Sequence, residues 1–275
     1  MAEYTITSLL QLPFYTEGPA VDAAGNFYFT TLSGGTINRL RQDGAHETWA
    51  VAACPNGQLI LPDGEHVVCD TKRAALSRFS EAGEWLGDVV KNNCAGVTFD
   101  TPNDLLADAA GNIYFTDSVR TRGKVYCILR NGEERLVAKD IDYANGLALS
   151  ASEDVLFVAE SYRNRILSIR LRQPGTAAGL PEVFATLPAN PDGYNLPDGL
   201  ALDAAGRVWI AHYGMQAVQV LDGKGRLITT IDTGMPLVSN LCFTEDAHGT
   251  HTILVTGGYA EPGPGALLQI KVTGL

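Results

Sequence analysis

The sequence predicts an all-β fold, a six-bladed β-propeller with a central metal-binding channel, and three observations carry that expectation. One hairpin motif recurs six times, its copies are spaced by about the length of one blade, and no segment keeps the apolar period of a long helix. The repeats run through residues 1–275 as one unit, so a single domain is expected.

The first copy starts at Glu17 and reads EGPAVDAAGNFYFTT. The second, NGQLILPDGEHVVCDT from Asn56, is weaker. The third is NDLLADAAGNIYFTDS from Asn103, the fourth NGLALSASEDVLFVAES from Asn145, and the fifth DGLALDAAGRVWIAHY from Asp198. The sixth, NLCFTEDAHGTHTILVTGG from Asn240, is again weaker. Each has a polar residue, a short apolar strand, a turn and a second strand. The AAGN and AAGR turns place Gly where a hairpin needs positive φ. The strands alternate and favour Val, Ile, Phe, Tyr and Trp, which suit a pleated surface.

The copies start 39, 47, 42, 53 and 42 residues apart. A unit near 45 residues has room for two more strands, such as TINRL, KVYCILR, RILSIRLR and AVQVLD, and four strands make one blade. The early segment EYTITSLL is expected to complete the last blade and close the ring, which removes an exposed sheet edge.

Composition narrows the function. The net charge of −11, with no Lys/Arg run, argues against nucleic acid. The five cysteines form no C-x-x-C pair, which suits reduced thiols in the cytoplasm. The first residues do not read as a secretory signal, and no run of 18 apolar residues predicts a membrane helix. The chain is expected to act as a monomer or weak dimer on a small molecule. No G-x-S-x-G elbow, Walker loop, H-E-x-x-H or dinucleotide fingerprint is present.

In a propeller the innermost strands line the axis. The leading residues Glu17, Asn56, Asn103, Asn145, Asp198 and Asn240 should therefore form a polar ring. Carboxylate and amide oxygens converging on one axis suit a hard divalent cation. The competing explanation is that N-G and D-G are turn dipeptides. Glu17 speaks against it, because E-G-P is not a favoured turn and a carboxylate near the axis needs a partner.

The segments EGPAVD, TPNDLLAD, YANGLALS and LPDGLALD, in this order and at blade spacing, resemble the regucalcin (senescence marker protein)/gluconolactonase/luciferin-regenerating-enzyme-like family. The resemblance runs from about Glu17 to the last blade and implies the same six-bladed fold. It implies one divalent ion held by Glu17, Asn145 and Asp198. Ca²⁺ is the expected ion, although these donors also accept Zn²⁺, Mg²⁺, Mn²⁺ or Fe²⁺. It places Asn103 beside the ion, as a ligand or a substrate contact, and makes Asp198 the general base that activates a water, with Asp198 as the attacking nucleophile the alternative. Thr101 stands where some sugar-lactonase members carry an Arg that grips substrate hydroxyls, so their sugar specificity does not carry over.

The function implied is a metal-dependent lactonase acting on a sugar (aldono-) lactone. The rivals are a phosphotriester hydrolase at the same site and a non-catalytic calcium or small-ligand-binding propeller. The second strands should end near the ring with Thr31, Asp70, Asp117, Glu160 and His212. Of these, His212 and Asp117 are candidate substrate contacts, together with Arg120; Asp117 and Glu160 are also suited to satisfying backbone groups. Arg163, Tyr213 and Tyr259 are candidates for the rim. His248 and His251 form H-x-x-H in the last hairpin and are expected to be solvated.

Overall fold

The computed structural model describes residues 2–247 and 249–275. Its strands fall into six antiparallel sheets. Blade 1 comprises Thr16–Val21, Phe27–Thr31, Thr36–Leu40 and His46–Val51. Blade 2 comprises Pro55–Ile60, His66–Asp70, Ala75–Phe79 and Trp85–Lys91, extended by the short strands Asn93–Cys94 and Val97–Thr98. Blade 3 comprises Pro102–Ala107, Ile113–Asp117, Gly123–Ile128 and Glu134–Ile141. Blade 4 comprises Ala144–Leu149, Val155–Glu160, Arg165–Gln173 and Glu182–Thr186, with Thr176–Ala177 beside the third strand. Blade 5 comprises Leu196–Leu202, Val208–Tyr213, Ala217–Leu221 and Leu227–Asp232.

Blade 6 joins the two ends of the sequence. Leu237–Ala247, Thr250–Gly258 and Gly265–Thr273 supply three strands, and Glu3–Leu12 supplies the outermost one. Glu3 pairs with Thr273 and Leu12 with Gly265. The six innermost strands touch their neighbours in cyclic order, blade 6 against blade 1 included. The molecule is therefore a six-bladed propeller, closed as the EYTITSLL segment predicts.

The core is divided among the six interfaces between successive blades, with one apolar cluster in each. Strand alternation does the dividing. Along the second strand of blade 5, Trp209 and Ala211 face blade 6, while Val208 and Ile210 face blade 4. This strand is buried on both sides, so VWIA is a continuous apolar run and not the alternation expected from the sequence.

The repeated turn is held by its Asp. In blade 1 the Asp22 carboxylate accepts from the backbone N–H and the side-chain amide of Asn26, both at 2.8 Å. Asp108 and Asn112 repeat the pair in blade 3. In blade 5 Arg207 takes the place of Asn, and Gly206 between the partners has φ +75°.

Candidate active site

Each innermost strand breaks register just where its polar residue stands. The breaks fall between Glu17 and Ala20, Pro55 and Gln58, Pro102 and Leu105, Ala144 and Leu147, and Pro197 and Leu200. A bulge leaves residues unpaired and re-aims their side chains. Here Glu17, Asn56, Asn103, Asn145 and Asp198 all line one cavity of about 320 Å³. Tyr15, Tyr143, Tyr162, Tyr194 and Tyr213 wall it, and Glu261 joins them from the loop before the last strand. The Tyr213 hydroxyl donates to Glu261 at 3.0 Å.

In blade 6 register corrects the sequence. Val238 pairs with Gly257 and Leu241 with Val255, as Pro197 pairs with His212 and Leu200 with Ile210. The counterpart of Asp198 is therefore Ser239, not Asn240. The Ser239 hydroxyl bonds the Thr16 carbonyl at 2.9 Å. Asn240 occupies the next position, shared with Gly18, Gly57, Asp104, Gly146 and Gly199. Along with Gly18 and Asp104 it lines a second, smaller cavity further along the same strands. Glycine is required at two of these positions by close approach. A Cβ on Gly57 would lie 2.5 Å from Asp104 Oδ1, and one on Gly199 would lie 2.0 Å from Asn240 Oδ1.

Electrostatics at the ring are unbalanced. Burial pushes the Glu17 carboxyl up to about 8, with Asp104 adding repulsion, against the Gly18 N–H that donates to it at 2.8 Å. Asp198 is held well above the usual carboxylate range by burial first, then by Glu17, Asp104 and Glu261. Asp104 rises to about 6, again by burial. Among the described residues none of these three carboxylates forms an ion pair, whereas the buried acids Asp117, Asp142, Glu160 and Asp203 do, and Asp70 and Asp108 each accept at least two backbone N–H groups.

Two amide oxygens are equally unanswered. Asn145 Nδ2 donates to Ser161 Oγ at 3.2 Å, and that hydroxyl donates to the Pro197 carbonyl at 2.7 Å. The relay fixes the amide, and Asn145 Oδ1 is left buried without a partner. Asn56 Oδ1 is in the same condition. Among the described residues no three His, Cys, Asp or Glu side chains gather as metal ligands, so any ion here has a mixed carboxylate and amide donor set. That set, with its surplus negative charge and orphaned acceptors, fits a hard divalent cation.

The profile of the SMP-30/gluconolactonase/LRE-like region matches residues 15–257, which includes all six inner strands but not the strand that closes the ring. The chain belongs to this family. Lactonase drp35 of Staphylococcus aureus (strain USA300) is 30% identical to it over 232 residues, 78% of this chain and 69% of that protein. The solved gluconolactonase of Xanthomonas campestris superposes with a TM-score of 0.83 at 26% identity, over 98% of this chain and 90% of its own. The calcium-binding regucalcin of Agrobacterium tumefaciens, at 19% identity and a TM-score of 0.78, shares the fold over 99% of this chain and 96% of its own.

Within this family member the expected site residues divide into two groups. Glu17, Asn103, Asn145 and Asp198 meet at the cavity, and so does Tyr213. Asp117, His212 and Arg120 do not line it. Asp117 accepts from the backbone N–H groups of Asp100 and Thr101 at 3.1 and 2.8 Å and pairs with Lys124 at 2.8 Å. Asp70 and Glu160 hold the entry to their own blades in the same way. His212 is fully buried, with Nε2 3.0 Å from Asn164 Oδ1. Ending a second strand thus turns a side chain toward the segment entering the blade, away from the axis. The Arg120 guanidinium is tied to Asp142 at 2.7 Å and lies 3.7 Å over the Tyr162 ring, so it backs a cavity wall. Arg163 also leans on Asp142, at 3.6 Å, and Tyr259 is exposed outside the cavity.

His251 is buried, not solvated. It bonds Asp246 and Arg207, each at 2.7 Å, and packs on Trp209. His248 lies outside the described residues. Sequence reasoning misses Ser161, Ser239 and Glu261; register counting from the second strands finds the two serines, but the loop position of Glu261 carries no comparable signal.

Proposed function

We propose that this chain is a lactonase that opens an uncharged lactone, an aldonolactone being the leading candidate, in the cavity shared by Glu17 and Asp198. The observation that carries this is the meeting, in a member of a family that includes lactonases, of two unpaired buried carboxylates and two orphaned amide oxygens at one cavity. Glu17, Asn145 and Asp198 would hold a divalent cation, Ca²⁺ in this proposal. Bound there, such an ion supplies Lewis-acid polarisation of a carbonyl and stabilisation of the developing oxyanion. Asp198, a carboxylate at the cavity, accepts the proton of the attacking water. Water oxygen bonds the acyl carbon, the ring C–O bond breaks, and the proton held by Asp198 passes to the departing ring oxygen, which leaves a hydroxy acid. Asn103 contacts the substrate, and the tyrosines screen the reacting ring from bulk water. All five cysteines are free, which supports a reducing, cytoplasmic setting; we take the enzyme to act there as a monomer or weak dimer.

Charge defines the substrate further. With Glu17 and Asp198 balanced by the proposed ion, the Glu261 carboxylate is the remaining charge at the cavity, and no Lys, Arg or His lines it among the described residues. Thr101, where an Arg would grip substrate, spends its hydroxyl on the Ser118 carbonyl at 2.8 Å. A lactone bearing its own carboxylate should be turned over on the order of tenfold less well than a neutral one at low salt, from charge repulsion across several ångströms. The test is acid release in a pH-stat from neutral lactones, carboxylated lactones and phosphotriesters, after chelation and after repletion with defined metals. Neutral lactones should be hydrolysed only by the metal-repleted enzyme, and Glu261→Gln should narrow the charge discrimination. Acid from phosphotriesters alone would make it a hydrolase of another bond. Tight cation binding with no turnover of any substrate would make it a binding protein.

A further inference from the structure

We propose that Asn56 is a further oxygen donor to the cation, in addition to Glu17, Asn145 and Asp198. The proposal rests on the metal-dependent reading above. Asn56 sits in the blade 2 bulge between Pro55 and Gln58, the register equivalent of Glu17, Asn103, Asn145 and Asp198. It is 5% exposed and lines the same cavity as the other donors. Among the described residues, Asn56 Oδ1 and Asn145 Oδ1 are the two buried side-chain atoms left without a hydrogen-bond partner.

Its backbone is not free to turn the amide elsewhere. The Asn56 carbonyl accepts the Thr30 hydroxyl at 2.9 Å, and it fills the space where a Cβ on Gly18 would stand, 2.4 Å away. A buried acceptor with no donor is unfavourable unless something electropositive answers it. Substrate hydroxyls could do so, but the shared cavity favours the cation. A hard ion such as Ca²⁺ takes six to eight oxygens, more than two carboxylates provide. Neutral amide oxygens complete the shell without adding to a site already overloaded with negative charge.

The test is calorimetric titration of the chelated protein with Ca²⁺ alone, with thermal shift as a second readout, on wild type, Asn56→Ala, Asn56→Asp and Asn145→Ala. Removing a ligand should weaken Ca²⁺ binding at least about tenfold, the lower range for loss of groups that merely support ligands. Asn56→Ala should therefore resemble Asn145→Ala, and the isosteric Asn56→Asp should bind Ca²⁺ at least as tightly as wild type. If Asn56→Ala binds Ca²⁺ like wild type while Asn145→Ala is impaired, the Asn56 oxygen serves substrate or water and the proposal is wrong. Should Asn56→Ala fail to fold, Asn56→Asp decides: weaker Ca²⁺ binding than wild type overturns the assignment. A wild-type protein that binds no divalent cation overturns the metal-dependent function itself, and this inference with it.

Discussion

Burial beside Glu17 raises the proton affinity of Asp198, and one substitution separates the two roles proposed for it, ligand and base. Asp198→Asn keeps the shape and one carbonyl oxygen but loses the charge and the proton acceptor. Metal affinity should fall, and saturating metal should restore occupancy. Turnover should stay roughly 10²–10⁴-fold down, the usual loss for a missing general base. Metal content by atomic absorption and lactone turnover measured on the same samples check this; a wild-type rate from metal-loaded Asp198→Asn would reduce Asp198 to a ligand. His212 makes a different prediction. Burial holds its imidazole down to about 4, against 6.5 for a free histidine. Between these values the unfolded chain takes up a proton that the folded chain refuses. The stability is thus present in full above about pH 6.5 and is lost as pH falls toward 4, by up to about 3 kcal/mol. Urea unfolding of wild type and His212→Gln at pH 7 and 4.5 should show a smaller acid loss in the variant. Equal losses would mean that His212 is not the group responsible. The ring residues were legible because each opens a repeat; His212 was misjudged because proximity in the hairpin does not reveal which way a strand-end side chain turns.

Register decides what the inner strands present to the axis. The four strong copies, and the weaker one from Asn56 with them, align because each carries its polar residue at the same step before an apolar strand. The sixth does not, since SNL offers two polar residues in succession and the pairing selects the first. Asn240 and Asp104 instead fill space that glycines leave. Gly199→Ala should bring its methyl against Asn240 Oδ1 and the backbone behind it. The expected cost is about 1–3 kcal/mol, typical of overpacking. Thermal unfolding should show a lower Tm, partly recovered by Asn240→Ala in the same chain. An unchanged Tm for Gly199→Ala would mean that the inner strands can separate without penalty. The role of Asp in the repeated turns was also hidden, because sequence marks the Gly of D-A-A-G-N but not the two bonds that tie Asn to Asp.

At the scale of the whole molecule, six clusters replace a single core, and each needs both of its blades. The blade count followed from repeat spacing, and ring closure followed from one leftover strand at the start of the sequence. The rim was less legible. Tyr15 and Tyr143 each stand two residues before a ring residue, but Tyr162 and Tyr194 come from connections with no common spacing, so the repeat pattern assembles only part of the wall.

The pairing of Glu3–Leu12 with Gly265–Thr273 also sets an order in time. These partners enclose nearly the whole chain. Their encounter is entropically unfavourable while the intervening residues are loose, and it becomes easier once folded blades shorten the effective loop. During synthesis Glu3–Leu12 must wait, unpaired, for Gly265–Thr273 to emerge. Ring closure is then a late, cooperative event that follows assembly of the intervening blades. Pulsed hydrogen exchange during refolding should show the amides of Glu3–Leu12 and Gly265–Thr273 becoming protected together and after those of blades 2 to 4. Early protection of the terminal pair would reverse that order and make the closing contact the nucleus on which the blades assemble.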